Sequence, residues 1–330
     1  MSTGISAEQN NRATRDEDVL LQPVYHDAYQ AIVQPDRIVR ISRYLLEEWA
    51  TSLGSKRFWL VVALRQRCYL NNDRDWCRCK LSRLARDAGV SRRWLCDLLQ
   101  EPADLVYRFI LDRNPRKRRF SQSAGRSVSA DSYYQVAGDD PLTPQHQAGL
   151  CQILLSAKKD GHRPVAETLQ ALLQMPFDSL REQLDEHGDQ VKLDVWLPTV
   201  KDVIQHTCGT AVAQQEHTAL LCSQLQHHIT QPSLSVLITW YFRDKWLPIL
   251  KPALALMVVY LRAQCFYNPK TKELRDTCVT DWERISRLLG VSDRQVRRLR
   301  RHPQLSRFFH PIENTQQEHT TRAAILNMEL

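Results

Sequence analysis

One segment occurs twice in this 330-residue chain, and a duplication narrows the possible folds more than any other property of it. Residues 41–72 match residues 238–269 at a constant offset of 197, and residues 75–98 match 276–299 at an offset of 201. Tyr44, Trp49, Leu64, Arg65, Cys68 and Asn71 recur as Tyr241, Trp246, Leu261, Arg262, Cys265 and Asn268. Cys77, Arg83, Arg86, Gly89, Val90, Ser91, Arg93 and Leu98 recur as Cys278, Arg284, Arg287, Gly290, Val291, Ser292, Arg294 and Leu299. The four-residue slip falls between Asn71 and Asp75, where a loop is expected. Two copies of one small module point to a protein that reads a two-part target.

Within the first copy, Ile41 to Trp49 predicts a short amphipathic helix, and the spacing of Trp59, Leu60, Ala63, Leu64 and Arg67 predicts a longer one over Lys56 to Leu70. Trp76 to Lys80 predicts a short strand with Cys77 and Cys79 on one face. Leu81 to Ala88 predicts a helix with Leu81, Leu84 and Ala85 inward. Gly89 then stands where a tight turn between helices needs φ > 0. Ser91 is the expected cap of a helix whose inner face is Leu95, Leu98 and Leu99. Leu105 to Leu111 reads as a strand, Arg113 to Ser127 as a long basic loop, and Asp131 to Ala137 as a returning strand.

Net charge is +8, and its distribution follows the repeat. Lys and Arg number 18 against 8 Asp and Glu in residues 55–136, and 13 against 5 in residues 251–310; residues 137–230 reverse this, at 6 against 12. Basic repeats around an acidic connector fit phosphate-binding surfaces better than a general solubility charge. The most apolar stretch, Pro252 to Val259, is too short to span a bilayer, so no membrane partner is expected. The polar N-terminal region and nine scattered cysteines imply a reducing, cytoplasmic setting.

The order of helix, short strand, helix, Gly turn, Ser-capped helix, strand, basic loop and strand resembles the winged helix. Leu84-Ala85…Gly89-Val90-Ser91…Leu95 is similar to the helix-turn-helix family of DNA-binding proteins. The second copy departs by carrying Trp282 for Leu81 and Ser286 for Ala85. Two such modules in one chain resemble plasmid-type replication initiators, in which paired modules bind iterated origin repeats as a pseudo-twofold unit. That resemblance covers about half the chain and concerns architecture alone. It implies that the Ser-capped helix enters the major groove. Ser292, Asp293, Arg294, Arg297, Arg298 and Arg301 would then face DNA in the second copy, with Arg300 on the flank; Arg side chains suit guanine edges and phosphates alike. The first copy presents Ser91, Arg92, Arg93, Cys96, Asp97 and Gln100, a less basic face. Its loop carries Arg113, Arg116, Lys117, Arg118 and Arg119 where a wing would lie on the backbone or minor groove. A division of labour is expected, with the first module holding by its wing and the second by its recognition helix.

The cysteines match no pair of CxxC knuckles, and Cys68 and Cys77 recur at apolar positions while Cys79 and Cys96 do not; core packing explains them better than a metal. No HExxH or GxxxxGK[ST] pattern occurs, so no catalytic residues, metal or cofactor are expected. The expected fold is mainly α with small β wings: a polar tail over 1–24, a first winged-helix domain over 25–138, an acidic helical connector over 139–230 and a second winged-helix domain over 231–330. The connector would set the distance between the modules, or carry a homodimer or protein-partner interface. The expected function is non-enzymatic, sequence-specific binding of double-stranded DNA, initiator-like. The alternatives are a transcription regulator with a partner- or effector-binding central segment, and a subunit of a DNA-processing (transposition or nicking) enzyme. A duplicated helical hairpin used only for packing is the bland competitor.

Overall fold

The structure, a computed structural model, describes residues 31–34, 36–71, 75–114, 118–121, 126–129, 131–159, 164–189, 193–268, 273–275, 277–280, 282–312 and 321–325. The expected tail over 1–24 lies outside the described residues. The chain is mainly helical with small sheets. The first copy runs β1 (Ile38–Ser42), a π-helical turn (Leu45–Trp49), α1 (Ala50–Leu70), β2 (Trp76–Cys79), α2 (Leu81–Asp87), α3 (Arg92–Leu98), a 3-10 turn (Leu105–Arg108), β3 (Ile110–Asn114), β4 (Arg118–Ser121), β5 (Arg126–Ser129) and β6 (Ser132–Val136). The connector contributes α4 (Pro144–Lys159), α5 (Val165–Gln174), α6 (Phe177–Gly188), α7 (Val200–Cys208), α8 (Thr210–Ala213) and α9 (Glu216–Thr230). The second copy follows the same order apart from its hairpins, with β8–β9 after the long helix and none described between β11 and β12: β7 (Ser235–Thr239), a π-helical turn (Phe242–Trp246), α10 (Leu247–Ala263), β8 (Phe266–Asn268), β9 (Glu273–Arg275), β10 (Thr277–Thr280), α11 (Trp282–Leu289), α12 (Asp293–Arg300), a 3-10 turn (Leu305–Arg307), β11 (Phe309–Ile312) and β12 (Thr321–Ile325).

The two copies are joined about a local twofold axis. β1 and β7 pair antiparallel, with Val39 opposite Ile238, Arg40 opposite Leu237 and Ile41 opposite Val236. Arg40 and Leu237 are themselves equivalent at the 197 offset, so the axis passes between them. Flanking backbone bonds obey the same symmetry: the Arg43 N–H donates to the Leu234 carbonyl and the Trp240 N–H to the Arg37 carbonyl. The helices after each π turn kink at equivalent residues, Gly54 (φ 67°, ψ 163°) and Lys251 (φ 64°, ψ 161°). Each copy also stacks an equivalent aromatic pair edge to face at 4.9 Å, Trp49 on Phe109 and Trp246 on Phe308.

This axis corrects the expectation that the connector separates the modules. One continuous core runs through both. Phe58 to Leu64 of α1 and Leu254 to Leu261 of α10 are buried without interruption, because each helix is covered by its own module and by its partner. The Trp59 indole N–H donates across the junction to the Pro252 carbonyl at 3.0 Å. The connector lies alongside the first copy instead. Arg181 of α6 binds Glu47 at 3.0 Å and Glu48 at 2.9 Å, while Tyr44 meets His146 of α4 at 2.7 Å. Phe242–Ala263 is long and apolar enough to cross a membrane, yet 67% of its apolar window is buried inside the protein; it is a core helix.

Several local expectations are revised. The helix expected over Ile41 to Trp49 is a strand as far as Ser42, because its edge pairs with a partner about 197 residues away that local periodicity does not register. Leu105 to Leu111 begins as a 3-10 turn, since the Asp104 carboxylate accepts the Val106 N–H at 2.9 Å and caps it; the strand starts at Ile110. The basic loop over Arg113 to Ser127 contains a hairpin, with β4 paired to β5.

Lys251 occupies backbone space that favours glycine, and its side chain is exposed. The following Pro252 accepts the extended ψ but does nothing to relieve the positive φ. Lys251→Gly is therefore expected to stabilise the protein by about 1 kcal/mol, read as a higher urea midpoint at unchanged slope. A lower midpoint would show that the Lys251 side chain contributes more than its backbone costs.

Candidate nucleic-acid interface

Each copy builds its exposed helix from the same local parts. Gly89 (φ 65°) and Gly290 (φ 61°) make the left-handed turn, and the next N–H bonds back into the preceding helix, Val90 to the Ala85 carbonyl at 2.9 Å and Val291 to the Ser286 carbonyl at 3.1 Å. Space adds a second requirement. A Cβ at Gly89 would lie 3.0 Å from Leu247 Cγ, and one at Gly290 would lie 3.6 Å from Gly54 Cα. Each turn therefore rests on the kinked helix of the other copy, which orients both exposed helices from one core.

Ser91 Oγ accepts the Trp94 N–H at 3.2 Å at the start of α3. At the start of α12, Gln295 Oε1 accepts the Ser292 N–H at 3.3 Å. The Ser-x-x-Gln spacing carried that signal, so Gln295 is a capping group rather than a free contact. Leu95, Leu98 and Val296 are buried and Leu299 is half-buried, which leaves the opposite faces open.

On α12, Ser292, Asp293, Arg294, Arg297, Arg298 and Arg301 are exposed, and none of these arginines has an ion-pair partner among the described residues. Asp293 opens the helix, where the dipole favours a carboxylate. Arg300 is exposed too, but its guanidinium lies over the Trp282 ring at 4.1 Å. Partial burial, then the like charges of Arg301 and Arg297, lower its pKa; it stays protonated. It is thus spent on packing, and the change from Leu81 to Trp282 supplies its platform. On α3, Ser91, Arg92, Arg93, Asp97 and Gln100 are exposed, while Cys96, expected outward, is half-buried. Lys56 adds a cation beside this helix, 5.5 Å from the Trp94 ring.

Arg113 is the clearest correction among the residues expected to touch DNA. Its Nη1 donates to the Leu99 carbonyl at 2.7 Å, which also accepts from the Tyr107 hydroxyl at 2.7 Å. Arg113 therefore ties the end of α3 to β3, because a helix C-terminus presents carbonyls in need of donors. Arg118 and Arg119 fall in β4, opposite Ser129 and Val128. Arg116 and Lys117 lie outside the described residues.

Cys68, Cys77 and Cys79 are buried free thiols of the first copy. Hydrogen bonds from Cys68 and Cys79, then burial, push the Cys77 thiol far above its usual range, while the hydrogen bond with Cys77 lowers that of Cys79. Among the described residues one group has metal-ligand types within reach of one another: Glu48, His146 and Asp185. Tyr44 Oη accepts the Thr143 N–H at 3.1 Å and lies 2.7 Å from His146 Nδ1, and His146 Nε2 lies 3.3 Å from Asp185 and 3.8 Å from Glu48. The group joins the connector to the first module. No protein-family model matches the chain, and no curated protein or solved structure matches it.

Proposed function

We propose that the chain is a sequence-specific double-stranded DNA-binding protein, built from two winged-helix modules and initiator-like in architecture. The observation that carries this reading is the pairing of two Ser-capped helices, each exposed on its polar face, about the local twofold axis through Arg40 and Leu237. A twofold arrangement of reading helices suits two half-sites in inverted orientation, at a spacing set by the shared core. The second module would supply base contacts through Arg294, Arg297, Arg298 and Arg301. The first would present Arg92, Arg93 and Gln100, with its β4–β5 hairpin in the role of wing. The connector braces the first module and supports no separate spacer role, which favours direct two-site binding over an effector-driven regulator.

Selection of random duplexes on the purified protein, followed by sequencing, tests the reading. Two inverted half-sites at fixed separation are expected. Enrichment of no sequence, with only salt-sensitive binding, would sink it. Neutralising Arg116, Lys117, Arg118 and Arg119 together is expected to weaken binding to every duplex alike. The salt slope should flatten by about 0.9 for each DNA phosphate that the protein then leaves unneutralised. A change in sequence preference instead would place base readout in the hairpin.

A further inference from the structure

Where the connector grips the first module, acidic groups outnumber basic ones. Arg181 of α6 donates through one nitrogen to Glu47 at 3.0 Å and to Glu48 at 2.9 Å, and Arg43 binds Glu47 at 2.7 Å. Asp185, one turn further along α6, sets a third carboxylate against these two guanidiniums. A negative charge is left over, and it lies beside a buried imidazole.

That imidazole is His146 of α4, whose side chain has no exposed surface. Its Nε2 is buried and makes no hydrogen bond among the described residues. A buried ring nitrogen without a partner costs free energy. Asp185 Oδ1 lies 3.3 Å from it and Glu48 Oε2 3.8 Å, and the three atoms fall within 4.8 Å of one another. Asp185 Oδ1 is thus near enough for a hydrogen bond but off its line. An ion shared by the three atoms would place them in this way. With bonds of about 2.0–2.2 Å, neighbouring ligands of a tetrahedral ion stand roughly 3.4 Å apart, each about 35° off the other's bond direction.

We propose that Glu48, His146 and Asp185 bind one divalent transition-metal ion of the zinc type, which fastens α4 and α6 to the π-helical turn of the first module. One imidazole with two carboxylates suits such an ion better than magnesium or calcium, which favour oxygen ligands throughout. The outer contacts fit the assignment. Arg181 takes Glu48 Oε1 and leaves Oε2 to the metal. Tyr44 Oη, 2.7 Å from His146 Nδ1, accepts the Nδ1 proton and leaves the Nε2 lone pair to the metal. The Tyr44 hydroxyl proton turns to the Thr143 side chain, with which it also hydrogen-bonds. The Asp185 side chain is 44% exposed, so the site opens to solvent on that side, for entry of the ion and for a water as fourth ligand. The ligands come from three separate elements, so no short motif marks them in the sequence. This inference does not rest on the DNA-binding reading.

Calorimetric titration of the full, reduced chain with Zn²⁺ tests it. One ion per chain is expected to bind, and Asp185→Asn, a change at a partly exposed helix position, is expected to weaken it by more than about tenfold. Glu48→Gln should do the same, and the Asp185 variant keeps the test alive if Glu48→Gln does not fold. Nitrogen-15 spectra of the histidine rings give a second readout: with Zn²⁺ present, His146 should carry its proton on Nδ1 and none on Nε2. Absence of binding overturns the proposal. So do titration curves that are alike in the unaltered chain and in Asp185→Asn, which would put the ion on other histidines or on thiols. An Nε2 that keeps its proton in the presence of Zn²⁺ also overturns it and makes His146 a partner in an ion pair. Equal competition by Mg²⁺ overturns the assignment to a transition metal.

Discussion

Asp87→Ala is expected to destabilise the protein by roughly 3–5 kcal/mol, the largest loss from any single change considered. Arg67 and Asp87 are 8% and 7% exposed, and Arg67 Nε donates to the Asp87 carboxylate at 2.7 Å. Nη2 makes a second bond to the same oxygen. Removing the carboxylate leaves a guanidinium in the core, beside Cys79, with no counter-charge. The second copy shows how the site can do without the pair: its equivalents are Gln264 and Leu288. Arg67→Gln with Asp87→Leu should therefore recover most of the loss, because two charges leave the core together. Urea midpoints of the three variants decide the matter. A cost below about 1 kcal/mol for Asp87→Ala would mean that water reaches the pair and that it behaves as a surface salt bridge.

Arg297→Ala and Arg298→Ala are each expected to reduce discrimination between the selected site and a scrambled duplex by about 1–3 kcal/mol, with little change in stability. Both side chains are exposed on α12 and neither is used in an ion pair among the described residues, so truncation leaves the fold intact. Arg300→Ala is the informative control. Its guanidinium covers the Trp282 ring, so it should act mainly on stability. Equal loss of affinity for site and scrambled duplex in Arg297→Ala and Arg298→Ala would make α12 a phosphate clamp. Loss of discrimination in Arg300→Ala alone would mean that the stacked arginine swings out to read bases.

The two readouts separate scaffold from interface, and the line between them was only partly visible in the linear chain. Gly89, Ser91 and the Leu95 and Leu98 face were legible because local physics governs them: a positive φ, an orphan N–H at a helix start and a helical period. Arg113 was misplaced for the opposite reason. In sequence it stands among Arg116, Lys117, Arg118 and Arg119 and looks like one more cation. Only the fold brings it to the Leu99 carbonyl, 14 residues back in the chain. Arg300 likewise reads as part of an arginine run until Trp282 lies beneath it.

The duplication itself, the charge contrast between repeats and connector, and the capped helices after glycine turns all follow from residues close in sequence. β1 was hidden because its hydrogen bonds go to β7, about 197 residues away, and a strand paired at such range has no local signature beyond five residues of alternating burial. The same holds for the kinks at Gly54 and Lys251 and for the place of the connector beside the first module. A sequence states which faces are apolar. Only closure of the chain decides which apolar face meets which, since that choice depends on contacts whose loop-closure cost and burial are settled jointly, across the whole molecule.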